Sequence, residues 1–233
     1  MISLRKAEDR GHADHGWLRS WHSFSFADYY DPAQMGWGPL RVINEDIVAP
    51  ASGFGMHGHR DMEIVTYLLS GPLQHKDNMG NGSVFRAPEV QRMSAGKGVM
   101  HSEFNASADE SVHLLQIWIE PDVRGITPEY EQKTFPDSAK RDRWCVIASP
   151  DGRDGSLTIH QDALLLATKV GAGGTATHAL QAGRRAYLHV VRGDIALNGI
   201  NLSGGDAAKI DAAENLAIAA RVEAELLLFD LPG

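Results

Sequence analysis

Short runs of alternating or β-branched residues recur along the whole chain, separated by Gly, Pro, Asn and Asp. This spacing of short extended segments between turn residues is typical of β-sandwiches and β-barrels, and segments with a helical period are scarce. The chain is therefore predicted to be all-β. The clearest predicted strands are Leu40 to Val48, Glu63 to Leu69, His113 to Ile119, Arg185 to Val191 and Glu225 to Leu231.

Composition and charge exclude several classes of protein. The formal net charge of −8 over 233 residues opposes general attraction to nucleic acid, and no segment is apolar for long enough to cross a bilayer. The N-terminal segment becomes charged before any apolar run develops, so a cytoplasmic location is expected. Because Cys145 is the only cysteine, histidine must carry any metal chemistry.

Two short patterns each hold a pair of metal-binding side chains: His57-Gly58-His59 and His101-Ser102-Glu103. Successive side chains of a β-strand alternate between its faces, so the first and third residues of each pattern point the same way. Three neutral imidazoles and one carboxylate suit iron, nickel, copper, manganese or zinc better than calcium. The two pairs together favour a metal centre over structural histidines.

A weak internal repeat relates the two halves of the chain. Tyr67 to Leu73 resembles Tyr187 to Ile195, and both are interpreted as a strand, a glycine turn and a second strand. In the second copy, His178 falls near the position of His57, but no further histidine follows it at the spacing of the first copy. The second copy is therefore predicted to lack a metal site.

The segment from Glu120 to Trp144 lies between the two halves and is rich in Pro, Gly and charged residues. It is predicted to be a linker or crossover, which places the domain boundary near residue 130.

Aromatic side chains are concentrated in the first fifty residues. We expect them to pack in the core, with an aromatic wall for a substrate as the alternative. They are Trp17, Trp21, Phe24, Phe26, Tyr29, Tyr30 and Trp37.

Longer segments around the two histidine patterns resemble a known family. Gly53 to Glu63, with Gly71 beyond it, is similar to the first motif of the cupin superfamily, and Gly96 to Asn105 is similar to the second. Among cupins, the chain closely resembles the pirin family over nearly its whole length. The segments that carry this resemblance are Gly38 to Asp46, His59 to Tyr67 and Ser94 to Gly98.

The resemblance implies a bicupin with two face-to-face β-barrel (jelly-roll) domains. Residues 1–130 would form an N-terminal cupin domain with one mononuclear metal, and residues 131–233 a C-terminal cupin domain without metal. The family's ligands correspond to His57, His59, His101 and Glu103. The expected metal is Fe(II), with nickel, copper, manganese, cobalt and zinc as alternatives.

Two residues are candidates for the carboxylate ligand. In many other cupins the carboxylate stands at the position of Glu63, so Glu63 competes with Glu103 as the fourth ligand. If Glu103 is the ligand, Glu63 is expected to point inward and orient one of the ligand histidines.

The resemblance also implies oxygen-dependent cleavage of the flavonol quercetin, a 2,3-dioxygenase reaction that releases carbon monoxide. The flavonol hydroxyl would bind the metal, and Glu103 would act as the catalytic base that accepts its proton. The expected partners are a small aromatic substrate and dioxygen, without direct contact with nucleic acid or membrane.

Two other functions stay open. In the first, the metal senses redox state and changes the affinity for a protein partner, which is the regulatory role attached to eukaryotic pirins. In the second, a sugar-phosphate isomerase on the same barrel would need cationic groups in the pocket, for which Arg60, Arg92 and Lys97 are the nearby candidates. His75 and His113 are assigned no role.

Overall fold

The computed structural model describes residues 1–211 and 215–233, and nearly all of their regular structure is β-strand. The prediction of an all-β chain is confirmed. The chain forms two compact units. The N-terminal unit comprises Gly11–Thr134 and Leu157–Gln161, and the C-terminal unit comprises Met1–Arg10, Phe135–Ser156 and Asp162–Gly233. The first ten residues thus lie with the second half of the chain, while the domain boundary near residue 130 stays a prediction.

Two antiparallel sheets form the N-terminal unit. With strands numbered in chain order, this unit contains β2 (Gly11–Asp14), β3 (Leu18–His22), β4 (Leu40–Val48), β5 (Gly53–His59), β6 (Glu63–Ser70), β7 (Pro72–Asp77), β8 (Gly82–Arg86), β9 (Glu89–Ser94), β10 (Val99–Asn105), β11 (Val112–Ile119), β12 (Glu129–Thr134) and β14 (Leu157–Thr158). The larger sheet has the order β12-β9-β6-β11-β4-β3-β2, and the smaller has the order β5-β10-β7-β8.

The C-terminal unit repeats this two-sheet plan. Its strands are β1 (Ile2–Arg5), β13 (Cys145–Ser149), β15 (Leu164–Val170), β16 (Thr175–Ala179), β17 (Arg184–Arg192), β18 (Asp194–Leu197), β19 (Ile200–Ser203), β20 (Ala207–Asp211), β21 (Asn215–Ala220) and β22 (Ala224–Pro232). They form the orders β1-β20-β17-β22-β15-β13 and β16-β21-β18-β19. Helical structure in this unit comprises α1 (Asp137–Lys140) and 3₁₀ turns at Ala7–Asp9 and Arg153–Gly155. Within the described residues, no helix has the length and apolarity needed to span a membrane.

The five predicted strands correspond to β4, β6, β11, β17 and β22, with ends that agree within one residue. The glycine turns of the internal repeat are also present. Gly71, between β6 and β7, has a φ of +78°, and a Cβ there would lie 2.6 Å from the carbonyl oxygen of Ser111. Only glycine combines this left-handed conformation with such a close approach.

The segment predicted as a linker or crossover contains a strand that the sequence did not indicate. β12 lies within Glu120 to Trp144 and pairs with β9 along its length. Its charged residues alternate with Tyr130 and Gln132, which is the two-residue period of a strand. The high charge content concealed this alternation.

The interiors of the two units differ in chemistry. Leu188, Leu226 and Ile218 belong to a large apolar cluster between the sheets of the C-terminal unit, where each is at most 2% exposed. Burial of one such side chain contributes about 1.5–3 kcal/mol. The N-terminal unit has a smaller apolar cluster that includes Leu73 and Phe85, and it also buries polar side chains. These include Thr66, His75, Gln91, His101 and Glu103.

Candidate metal centre

Three histidines converge inside the N-terminal unit. His57 and His59 lie on β5, and His101 lies on the neighbouring strand β10, directly opposite His57. The ring centroids are 4.4 Å apart for His57 and His101, 4.8 Å for His57 and His59, and 4.9 Å for His59 and His101. Their ligand atoms all lie within 4.8 Å of one another. The alternation predicted from the sequence therefore brings these three imidazoles to one point.

A β-bulge separates the histidines from Glu103. His101 pairs with His57, but Glu103 pairs with Phe54, so β5 has one residue more than β10 in this interval. Such bulges twist a strand and change the direction of its side chains. The strands also approach closely here, since a Cβ on Gly53 would lie 2.3 Å from the carbonyl oxygen of Glu103. The glycines of this motif thus allow the packing that aligns the candidate ligands.

The protonation and hydrogen bonding of the histidines suit a metal ion. Burial, followed by the neighbouring histidines, lowers the pKa of His59 to about 4 and that of His101 to about 3. Both imidazoles are therefore neutral near pH 7, as metal ligation requires. The Nδ1 of His57 donates to the carbonyl oxygen of Gly55 at 2.7 Å, which leaves Nε2 free to bind.

His101 is the clearest sign of a missing partner. It is 0% exposed, and neither of its ring nitrogens has a hydrogen-bond partner among the described residues. A buried polar atom without a partner is costly, and most such atoms in proteins are satisfied. A transition-metal ion would supply that partner, so the site fits the metal that the resemblance implies.

Glu103 is held by donors from the opposite sheet. Its Oε1 accepts a hydrogen bond from Gln91 Nε2 at 2.9 Å, and its Oε2 accepts one from Gln116 Nε2 at 2.8 Å. The Thr66 hydroxyl lies 3.2 Å from Glu103 Oε1 and 2.9 Å from Gln116 Oε1, so its single proton is shared between these two oxygens. These contacts fix the orientation of a carboxylate that is only 2% exposed.

The donors to Glu103 belong to a row of polar side chains that crosses five strands. Register pairs place them directly opposite one another on successive strands, so they share one face of the sheet. We call this set the polar row; it consists of His22, Asn44, Gln116, Thr66 and Gln91. The sheet thus presents a continuous hydrogen-bonding surface to the candidate centre.

His75, to which the sequence assigned no role, lies beside His101. The two ring centroids are 5.4 Å apart, and the ligand atoms of His75, His101 and Glu103 form a second group within 4.8 Å. The ring of His75 stacks on Tyr130 at 4.7 Å, and its Nε2 lies 3.2 Å from Asp77 Oδ2. Two overlapping groups of candidate ligands therefore share His101, and Glu103 belongs to the group that contains His75.

Glu63, the rival carboxylate, has other partners. Ser94 donates to Glu63 Oε2 at 2.7 Å, and His160 Nδ1 lies 3.3 Å from Oε1. Burial raises the pKa of Glu63. The histidine that it contacts is His160 rather than one of the three on β5 and β10. Glu63 also lies outside both groups of candidate ligand atoms in the described structure.

A cavity of about 510 Å³ opens beside the histidines, within the usual size range of small-molecule sites. Its apolar surface comes mainly from Leu18, Phe26, Tyr29, Phe54 and Trp118. Trp118 meets His59 edge to face, with the ring centroids 5.0 Å apart. Phe26 and Tyr29 thus belong to an aromatic wall, as in the alternative prediction, whereas Phe24 is buried in the core at 1% exposure.

The polar lining of the cavity includes residues that the sequence did not indicate. Ser20, Asn44, Asp46 and Gln116 all face it. A signal was present in β4, where Asn44 and Asp46 occupy alternate positions on a buried face whose other side chains, Leu40, Val42 and Val48, are apolar. Polar residues on the inward face of a strand require a partner or a function.

The cationic groups considered for phosphate binding are placed elsewhere. The described lining of the cavity contains neither lysine nor arginine. The guanidinium of Arg92 contacts Ser94 at 2.9 Å, Glu131 at 3.0 Å and Glu129 at 3.4 Å, so its charge is already paired. This arrangement gives a sugar-phosphate isomerase no support.

Family models match both halves of the chain. Residues 3–119 match the model described as Pirin, and residues 146–231 match the model described as Quercetinase C-terminal cupin domain. The two matches lie on either side of β12 and α1.

Similar proteins cover the chain from end to end. A quercetin 2,3-dioxygenase of Escherichia coli K12 is 49% identical over 232 residues, which is 100% of this chain and 99% of that protein. A pirin-like protein of Caulobacter vibrioides is 42% identical over 99% of both chains. The crystal structure of bacterial pirin YhhW in complex with nickel(II), from Escherichia coli, has a TM-score of 0.95 and 48% identity, covering 100% of this chain and 99% of that one. The chain belongs to the pirin family of the cupin superfamily.

Proposed function

We propose that this protein is a metal-dependent dioxygenase that cleaves quercetin-like flavonols at a centre formed by His57, His59, His101 and Glu103. The observation that carries the proposal is the convergence of three imidazoles beside a carboxylate, at the wall of an aromatic cavity. The relatives named quercetin 2,3-dioxygenase support the choice of reaction.

The metal proposed for this centre is a single divalent transition ion, with Fe(II) as the first choice. The nickel complex of a 48% identical relative supports a site that accepts nickel as well. When bound, such an ion supplies the Lewis acidity that favours ionisation of a flavonol hydroxyl and the electron transfer that joins the ring to dioxygen.

Glu103 is the proposed base. Its Oε1 accepts hydrogen bonds from Gln91 and Thr66, whereas its Oε2 accepts one from Gln116 alone. Oε2 therefore retains the greater acceptor capacity, and we assign to it the proton of the flavonol hydroxyl. Gln91, Thr66 and Gln116 keep the carboxylate in one orientation, so little reorganisation accompanies the proton transfer.

The cavity would bind and orient the planar substrate. Phe26, Tyr29 and Trp118 offer flat apolar surfaces for the rings of a flavonol. A site lined in this way also excludes water, which strengthens the polar contacts at its polar end.

Oxygen uptake and carbon monoxide release from quercetin test the proposal on metal-loaded protein. The variants His57→Ala, His101→Ala and Glu103→Gln are expected to lower turnover by at least about 100-fold, the size expected for loss of a general base. His113→Ala is the matched control, because His113 contacts Glu45 at 2.9 Å instead of lining the cavity. Undiminished turnover in a double His57/His101 variant would overturn the mechanism.

Metal-loaded protein that binds no flavonol and turns none over would favour the regulatory function instead. In that case affinity for a protein partner should depend on the oxidation state of the metal. A cytoplasmic location and the lack of direct nucleic-acid binding stay predictions.

A further inference from the structure

The cavity has a second polar region besides the histidines and Glu103. It is formed by Ser20 on β3 together with Asn44 and Asp46 on β4. Asn44 and Asp46 are two residues apart on one face of the strand, which separates their Cα atoms by about 6–7 Å. The proposed reaction uses none of these side chains.

Asp46 is a buried carboxyl group with too few partners for its charge. It is 4% exposed, and one of its oxygens accepts a hydrogen bond from the Ser20 hydroxyl. Its other oxygen has no hydrogen-bond partner among the described residues. Burial is the main cause that raises the pKa of Asp46 to about 7. Burial of such a group costs stability, which a ligand can offset.

Asn44 supplies the complementary group. Its Oδ1 contacts His22 Nδ1 at 2.8 Å, but its side-chain NH₂ has no hydrogen-bond partner in the described structure. The cavity therefore presents the free oxygen of Asp46, an acceptor when the carboxyl group is ionised and a donor when it holds a proton, next to an unused donor on Asn44. A hydroxyl group both donates and accepts hydrogen bonds, so it matches this pair.

We propose that Asn44 and Asp46 form a second subsite that binds a phenolic hydroxyl of the substrate, away from the oxygen held at the histidines. The substrate class is then a planar aromatic compound that carries hydroxyl groups at two separate positions. This inference rests on the proposed function for its choice of flavonols. Phe26, Tyr29 and Trp118 would contact the rings between the two polar ends.

Calorimetric titration of the metal-loaded protein with two compounds tests the subsite. The parent flavonol carries only the hydroxyl of the ring that is cleaved, whereas quercetin carries further phenolic hydroxyls. The natural protein should bind quercetin at least about 10-fold more tightly, because the parent flavonol leaves a buried hydrogen-bonding pair unmatched. Asp46→Ala should weaken quercetin binding about 10-fold and change the affinity for the parent flavonol by no more than about twofold.

Two further variants protect the test against misfolding. Asn44→Ala should change the preference in the same direction as Asp46→Ala. Glu45→Gln alters the adjacent carboxylate, which pairs with His113 outside the cavity lining, and should leave both affinities unchanged. Thermal unfolding and metal content of each variant verify the fold.

Several results would overturn the subsite. These are equal binding of the two flavonols by the natural protein, binding of neither, or a preference that survives in both variants. Oxygen uptake is measured separately. Turnover of quercetin without tighter binding of quercetin than of the parent flavonol contradicts only the subsite. Tighter binding of quercetin without turnover contradicts only the proposed dioxygenase reaction.

Discussion

The side-chain amide of Gln91 on β9 donates a 2.9 Å hydrogen bond to Glu103 Oε1 on β10, and so links the two sheets of the N-terminal unit at the candidate metal centre. Gln91 is itself held, because Tyr130 donates its hydroxyl proton toward Gln91 Oε1 at 3.2 Å. The position of the carboxylate thus depends on residues outside the two groups of candidate ligands.

Replacement of Gln91 by leucine should weaken metal binding without removing a proposed ligand. Leucine has a similar volume but no donor, so Glu103 would lose the amide hydrogen bond at Oε1, keep only the Thr66 contact there, and gain rotational freedom. Loss of such an outer hydrogen bond typically weakens metal affinity about 10–100-fold. Competition of nickel binding against a chromophoric chelator measures the change.

Gln132→Leu is the matched control for Gln91→Leu. Gln132 lies opposite Gln91 on β12, but its amide donates to Glu89 at 2.7 Å rather than to Glu103. An unchanged nickel affinity in Gln91→Leu, or an equal loss in both variants, would contradict the role of Gln91.

The two overlapping ligand groups make different predictions for His75. The Nε2 of His75 already contacts Asp77 at 3.2 Å, and its ring stacks on Tyr130, so we expect it to support the centre and not to bind the metal. His75→Phe preserves the stacking and should retain one equivalent of nickel. His101→Phe should weaken nickel binding by at least about 100-fold, beyond the usual range for an outer residue. Metal content after dialysis distinguishes them, and loss of nickel from His75→Phe would place His75 among the ligands.

The local periods of the sequence predicted the strands and the convergence of His57, His59 and His101. Alternation within one strand, which is visible in a few consecutive residues, places each pair of ligands on one face, and the pairing of β5 with β10 then brings His101 to His57 and His59. The polar row could not be predicted in the same way. It depends on the register of five strands that are distant in sequence, and register is set by tertiary packing.

The roles of Glu63 and His75 illustrate the same limit. Both are titratable residues near the histidine motifs in sequence, and alternation alone makes either a candidate for the site. Pairing of β7 with β10 brings His75 opposite Glu103. Pairing of β6 with β9 instead brings Glu63 opposite Ser94. The neighbouring strand therefore decides which of the two reaches the centre.

In the C-terminal unit, Asp230 should stabilise the fold at neutral pH and lose that effect in acid. Burial opposes its ionisation, but hydrogen bonds from His178, at 2.8 Å, and from Arg184 outweigh burial and hold the pKa of Asp230 below its ordinary value of 3.8. An acid with a lowered pKa stabilises the native state above its ordinary pKa, and the effect is lost as pH falls through the native value.

Asp230→Asn tests the predicted pH dependence of this stabilisation. The variant should unfold at lower urea concentration than the natural protein at about pH 7, with a loss of about 1.5–3 kcal/mol for hydrogen bonds to a charged group. The difference should shrink as the pH falls below the ordinary value of 3.8. A loss of the same size at both pH values would contradict the assignment to ionised Asp230.

Asp46 should show the opposite dependence, because burial raises its pKa from 3.8 to about 7. The native state then holds a proton that the unfolded chain has released, so this contribution to stability is complete below the ordinary pKa and is lost as pH rises through about 7.

Asp46→Asn keeps a group that can accept a hydrogen bond from Ser20 but has no proton to lose. The variant and the natural protein should therefore be similarly stable in acid, and the variant should be more stable above neutral pH by on the order of 4 kcal/mol. Urea unfolding of both proteins across this range measures the difference. A stability gain that does not grow with pH would show that Asp46 is ionised at no cost in the native state.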